Sequence, residues 1–164
     1  MFDVHLHPAV PSDAGRLLAL REAVAVWLVG RGIRQWEPGE VGAEQIRAQI
    51  GTAEWFVHRP DGAIQGALRL LWADPEFWGE RPDDDAYVHG LMIDRGVAGQ
   101  GLGGRLLDWA EQRARTAGRP FLRLDCSATN ERLRSYYRDR GFSEMGPRDP
   151  GPGWGAVMLF EKSV

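Results

Sequence analysis

The 164-residue chain contains a single cysteine, Cys126. No intramolecular disulfide can form, and a cysteine-built zinc site has no partners. Long apolar runs are missing too: none approaches the roughly 18 residues of a membrane span. The opening stretch, Met1 to Arg16, has no basic segment followed by an apolar one, so no secretory leader is expected. Internal repeats, low-complexity tracts and dividing linkers are absent. An overall basic charge is also lacking, since the formal net charge is −3, and nothing in it suggests a nucleic-acid partner. The chain is 43% hydrophobic, too apolar for disorder. These absences leave one soluble globular domain over residues 1–164, expected in the cytoplasm and away from membranes, with a core that needs no staples.

The charge is unevenly spread. Between Arg95 and Arg140 stand ten arginines, no lysine and five acids, an excess of +5 that leaves −8 for the remainder. Such asymmetry marks either a partner of opposite sign or solvated helix faces.

Phe2, Val4 and Leu6 alternate with polar residues as in a half-buried strand that Pro8 and Pro11 close. Ser12 is placed to cap a helix running to about Val29, with Leu17, Leu20, Val24, Trp27 and Leu28 as its apolar stripe. A short helix is expected over Ala43–Ile50. Trp55–Arg59 and Ala63–Ala73 read as a hairpin around the turn Pro60-Asp61-Gly62. A long loop, Asp74–Asp85, precedes a strand at Tyr87–Ile93. A helix over Gly101–Ala117 is closed by Gly118. A strand at Phe121–Asp125, a helix at Asn130–Arg140 and strands from Phe142 and over Trp154–Glu161 complete the chain. The strand–helix–strand centre implies parallel pairing and the hairpins antiparallel pairing, hence a mixed α/β sheet. Trp154–Glu161 is expected at an edge, where it could pair in a homodimer.

The strongest local signal is Gly99-Gln100-Gly101-Leu102-Gly103-Gly104, between a strand and a helix. Glycines permit left-handed backbone and let several amides converge at a helix N-terminus, which suits a pyrophosphate. Arg105 and Leu106 follow Gly104, so the Gly-Lys-Ser/Thr of a P-loop is absent. Gly99, Gly101 and Gly104 fit the dinucleotide fingerprint, and Asp125 stands about 20 residues on, where such an acid is expected. Against a nicotinamide-dependent oxidoreductase, Asp94–Ala98 separates strand from glycines, and only 60 residues follow Gly104.

Over Val88–Gly146, and more loosely throughout, the sequence resembles the GNAT superfamily of acyl-CoA-dependent N-acyltransferases. The family pattern is a strand ending in a β-branched residue, then Gln/Arg-x-x-Gly-x-Gly/Ala opening a helix. Leu91-Met92-Ile93 and Gly101-Leu102-Gly103 match it. The second block, Asn before a helix and then Tyr and Gly-Phe, is matched by Asn130, Tyr137 and Gly141-Phe142. Ala98 stands where the family has Gln or Arg, and Arg95 where Pro is frequent. The loop thus lacks one supporting side chain, although a cradle of backbone amides is expected to bind. The resemblance implies a mostly antiparallel sheet of about seven strands, flanked by about four helices around a central βαβ unit.

The resemblance further implies direct transfer of an acetyl group from acetyl-CoA, as cosubstrate and without a metal, to a small-molecule or peptide amine. The alternatives are the oxidoreductase above and a non-catalytic CoA-binding module. Leu91, Met92 and Ile93 would meet the pantetheine, with the Ile93 N–H as donor to the thioester oxygen. Gly99, Gln100, Gly101, Leu102, Gly103, Gly104 and Arg105 would hold the pyrophosphate, with Arg95, Arg132 and Arg134 near the phosphates. Asn130 matches a pantetheine contact, and Tyr137 the proton donor to the CoA sulfur. Tyr136 and Tyr137 point about 100° apart on a helix, so only one is expected to face the thioester.

A deprotonated amine, oxyanion donors and a protonated leaving group are what acyl transfer needs. His89, whose unperturbed pKa is about 6.5, is the candidate base. On a regular strand it shares a face with Leu91 and Ile93; a satisfied histidine or a water chain are the other readings. His5 and His7 share a face but lack a third metal ligand. Cys126 reads as a small buried hydrophobe. Trp27, Trp72 and Trp109 fit a core, whereas Trp36 and Trp78 fall in loops. Trp36, Glu37 and Trp78, with Glu40 and Asp83-Asp84-Asp85, are candidates for an acceptor wall suited to a cationic amine.

Overall fold

The computed structural model describes residues 4–82, 85–153 and 155–164. Its elements are β1 (His7–Pro8), α1 (Ala14–Gly30), α2 (Ala43–Gly51), β2 (Trp55–His58), β3 (Gly66–Leu71), α3 (Pro75–Trp78), β4 (Ala86–Ile93), α4 (Leu102–Thr116), β5 (Phe121–Ser127), α5 (Glu131–Asp139), β6 (Ser143–Arg148) and β7 (Val157–Ser163). The seven strands form one sheet in the order β1-β2-β3-β4-β5-β7-β6. The pair β4–β5 is parallel and the other pairs are antiparallel. This is the mixed, mostly antiparallel sheet that the sequence implies, with five helices rather than four.

Several local expectations are corrected. The first strand is only His7–Pro8, at the edge against Val57 and Phe56; Phe2 lies outside the described residues. Pro8 is tolerated there because an edge position needs no second ladder bond. Asp13, not Ser12, secures the start of α1. A 3₁₀ turn over Pro11–Asp13 turns its carboxylate back to accept from the Val10 amide at 2.8 Å and from Arg59 at 2.9 Å. The segment after β3 is not all loop: Asp74 caps α3, accepting from the Phe77 amide, and Pro75 starts it. Trp72 is 37% exposed rather than a core residue. Strand β7 lies between β5 and β6, so it is no edge; β6 is.

Two cores sandwich the sheet. On one face α4 lays Leu102, Leu106, Leu107 and Ala110 over Leu68, Val88, Leu122 and Leu124, joined by Tyr137 and Phe142. On the other, α1 and α2 pack Leu17, Leu20, Ile46 and Ile50 on Trp55, Val57, Ala67 and Met92. A smaller cluster of Phe77, Trp78, Tyr87 and Val157 continues this second face. It is pinned by Arg123, buried on β5, which ion-pairs with Asp85 and with Glu161 (2.7 Å), donates to the Tyr87 hydroxyl (3.1 Å) and stacks on Trp78.

Two features open the sheet. Strands β4 and β5 are in register only at Ala86–Leu122 and Tyr87–Arg123. Beyond that point β5 stays with β7 through Ser127–Val157, and β4 stays with β3 through Ile93–Gly66. The β3–β4 register also shifts: Arg69 faces His89, yet Ala67 faces Met92, so β4 carries one extra residue. Such a bulge bends and twists its strand. Gly90 sits in it at φ +59°, and a Cβ there would lie 2.9 Å from the Trp55 ring. Gly90→Ala therefore meets both a left-handed backbone and a clash, and is expected to lower stability by about 1–3 kcal/mol in urea unfolding.

Candidate active site

The parting of β4 and β5 makes a cleft of about 670 Å³ that runs from the glycine turn and α5 to the segment joining α1 and α2. On β4, the Asp94 amide donates to the Gln65 carbonyl at 2.9 Å. The preceding pair, Ile93–Gly66, is then of the non-hydrogen-bonded kind, and the Ile93 N–H points away from β3 into the gap that β5 has left. Leu91, Met92 and Ile93 all border the cleft, although the Met92 side chain is rooted in the core under α1 and α2.

After Ile93 the chain turns on Asp94, whose carboxylate accepts from the Gly96 amide at 2.8 Å. Gly99 and Gly101 are left-handed (φ +81° and +78°), and Gly101 is the N-cap residue of α4 with no side chain capping the helix. Arg105 donates back to the Gly101 carbonyl, so the amides of Leu102, Gly103 and Gly104 precede the helix's own ladder. Ala98, Gly99 and Gly103 line the cleft; Gln100, Gly101, Leu102, Gly104 and Arg105 stand behind or beside it. Gly104 has a structural reason: a Cβ there would lie 2.6 Å from Arg140, which donates to the Gly104 carbonyl.

Helix α5 supplies both tyrosines to the lining of the cleft. Tyr137 is 5% exposed, its ring packed on Phe160 and Phe142. Burial drives its pKa well above that of an ordinary phenol, so it keeps its proton. Tyr136 is more exposed and leans toward Gly103 and Gly104. Asn130 borders the cleft as the N-cap of α5, accepting from the Leu133 amide at 3.2 Å. It also donates to Gln35, which accepts in turn from the Ser127 amide at 3.0 Å. Gln35, unmarked in the sequence, thus ties the α1–α2 segment to the far wall. Of the arginines expected near phosphates, Arg95 and Arg132 border the cleft, Arg95 lying over the Trp27 ring. Arg134 is instead held by Glu144 and the Ala128 carbonyl.

His89 does not share a face with Leu91 and Ile93. The bulge at Gly90 reverses the alternation: Leu91 and Ile93 pack on the α4 core, whereas His89 lies with Phe77 on the opposite face. There its Nε2 meets Asp74 Oδ2 at 2.6 Å and its Nδ1 is 3.6 Å from Asp125 Oδ1. Burial pulls the imidazole pKa down, but the hydrogen bond from Asp74 and the charges of Asp125 and Asp74 outweigh it, and the net shift is upward. Burial pushes Asp125 up to about 6 despite the histidine. Asp74 was hidden because it reads as a turn residue before Pro75, and Asp125 because it fits a ribose-binding position. The ligating atoms of the three lie within 4.8 Å of one another; the imidazole hydrogen-bonds Asp74 and stands near Asp125 without bonding it. Cys126 is fully buried and pushed up to about 12 by burial, which suits a packing role.

The expected acidic acceptor wall is redrawn. Trp36 does line the cleft, with the Arg21 guanidinium over its ring at 4.8 Å. Glu37 is exposed and outside the lining, and Glu40 is paired with Arg21 at 2.8 Å. Trp78 is 4% exposed in the core beside Tyr87, because α3 folds it inward. Asp83 and Asp84 lie outside the described residues. The acids that do border the cleft are Asp74, Glu76 and Asp125.

Residues 21–142 match the Acetyltransferase (GNAT) family. The chain belongs to the GNAT acetyltransferase family. Its relatives include the uncharacterized N-acetyltransferase YesJ of Bacillus subtilis, 35% identical over 96% of this chain and 88% of that protein. A GNAT-family acetyltransferase structure from Listeria monocytogenes is 26% identical, with a TM-score of 0.81 over 98% of this chain and 95% of that one. A PaiA N-acetyltransferase from Thermoplasma acidophilum, solved with coenzyme A, shares the fold at 17% identity, with a TM-score of 0.73 over 99% of this chain and 100% of that one. As a GNAT protein the chain is an acyl-CoA-dependent N-acetyltransferase, and the parted strands, bulged β4 and glycine turn are the parts of it that form the cleft. Among the described residues no helix is long and apolar enough to cross a membrane. In this GNAT cleft the His89 ring should titrate above 6.5 when followed by NMR, and Asp74→Asn should move the midpoint down, since it removes a carboxylate that favours the imidazolium.

Proposed function

We propose that the cleft transfers an acetyl group from acetyl-CoA directly to a primary amine. The observation that carries this reading is the convergence on one opening of the inward Ile93 N–H, the uncapped start of α4 and the Tyr137 ring. The amides around Gly99–Gly104 receive the pyrophosphate, where the helix dipole favours anions. Arg95 and Arg132 add positive charge at the rim. The pantetheine arm runs along Leu91–Ile93 into the gap, with Asn130 holding the opposite wall.

The amine nitrogen attacks the thioester carbonyl carbon and a C–N bond forms. The Ile93 N–H donates to the developing oxyanion. The C–S bond breaks with its electron pair on sulfur, and Tyr137, a phenol kept protonated by burial, gives the thiolate its proton. The proton lost by the amine passes to His89, which must itself be neutral to take it. The raised imidazole pKa therefore implies that activity falls on the acid side at a pH above that of a free histidine.

Incubation with acetyl-CoA and a panel of amines should release free thiol in proportion to acetylated amine. Tyr137→Phe should cut kcat by roughly 10- to 100-fold with little change in CoA affinity. Equal loss of both would return Tyr137 to a packing role. Tight CoA binding without thiol release from any amine would favour the non-catalytic module. Binding of NADH in place of CoA would revive the oxidoreductase.

A further inference from the structure

Among the described residues, two side chains that line the cleft keep a buried polar atom without a hydrogen-bond partner: Arg21 Nη1 and Asp125 Oδ1. Their charges are opposite. The Arg21 side chain, on α1, is 7% exposed. Glu40 takes its Nη2 and the Trp36 ring lies against its face, so the guanidinium is held in one orientation. The Asp125 side chain, on β5, is 10% exposed, and the nearest cation, His89 Nδ1, is 3.6 Å away, too far for a hydrogen bond. The apolar part of the lining includes Val24, Leu28 and Phe77. Arg69, beside His89 in the β3–β4 register, is already engaged through Nε and Nη2 by Glu54.

A buried donor or acceptor left unmet costs stability and is retained where a ligand meets it. An unmet cationic donor and an unmet anionic acceptor in one cleft specify a molecule that carries both an anionic and a cationic group. We infer that the acceptor is a carboxylate-bearing amine of the amino-acid class, its carboxylate meeting Arg21 and its amino group meeting Asp125 next to His89. The apolar lining takes the acceptor's hydrocarbon side chain. This assignment rests on the acetyl-transfer reading above and narrows it. It reverses the sign expected at the α1–α2 wall, where Glu40 serves to hold an arginine rather than to attract an amine.

The test uses matched probes: L-leucine, L-leucine methyl ester and isoamylamine, and the corresponding set built on L-phenylalanine. With acetyl-CoA, the free acids should exceed the ester and the plain amine in kcat/KM by roughly 10- to 100-fold. The double variant Arg21→Gln/Glu40→Gln, which leaves no unpaired glutamate, should bring the acid-to-ester ratio close to one. Equal turnover of acid, ester and amine by the wild type, or a ratio that survives in the double variant, would overturn the assignment while leaving acetyl transfer intact. If CoA binds but no probe releases thiol, transfer itself is judged on the wider amine panel. Calorimetry on the CoA complex then decides: tighter binding of L-leucine than of isoamylamine supports the assignment, and equal or absent binding of both overturns it.

Discussion

Strand β5 keeps its ladder with β7 along its whole length and leaves β4 after two residues, and the cleft is the gap between them. From Phe121 to Ser127 every residue of β5 has a partner on β7, while only Leu122 and Arg123 have one on β4. The buried Arg123 cluster fixes the point of divergence: it ties β5 to Tyr87 on β4, to Asp85 just before that strand and to Glu161 on β7. A buried arginine with three partners is costly to break, so the hinge of the opening is among the least deformable parts of the sheet. Below it the two strands are locked together; above it each has unpaired edges facing a gap that a thioester arm can fill.

The bulge at Gly90 has a second consequence. By adding one residue to β4 it puts His89 on one face and Leu91 and Ile93 on the other, with all three still bordering the cleft. In the proposed reaction the apolar residues and the inward amide would serve the acyl donor, and the polar residues the amine. The histidine is then set between two carboxylates supplied by different elements, Asp74 at the start of α3 and Asp125 on β5. The same packing that buries Trp78 and Phe77 delivers Asp74.

The charge asymmetry along the chain resolves differently from its first appearance. Five of the ten arginines of the basic segment are neutralised by ion pairs nearby. Arg134 and Arg138 hold Glu144 and Glu131, Arg115 pairs with Glu111, Arg123 lies in its buried cluster, and Arg140 pairs with Asp108. Arg95 and Arg132 are left to face the opening. A local excess of one sign in sequence becomes a functional surface only where folding leaves its partners out of reach, and here folding brings the partners in.

The sequence by itself determined what depends on neighbours along the chain. Apolar periodicity set the longer helices and the central strands to within a few residues, but not α3 or the first strand. Gly99 and Gly101 marked a left-handed turn before a helix, and the spacing from Asn130 to Gly141-Phe142 singled out Tyr137 and the family. Tertiary structure alone decided what depends on register and on distant partners. One extra residue in β4 moved His89 across the sheet, a result no two-residue period can show. Asp74, Asp125, Gln35 and Arg21 acquired their places through contacts between segments up to 95 residues apart, and α3 turned Trp78 from a presumed wall into core. Local patterns fix dihedral preferences and buried faces, which are short-range properties. A site lined from five strands and five helices is fixed by which side chains packing pairs and which it leaves unpaired.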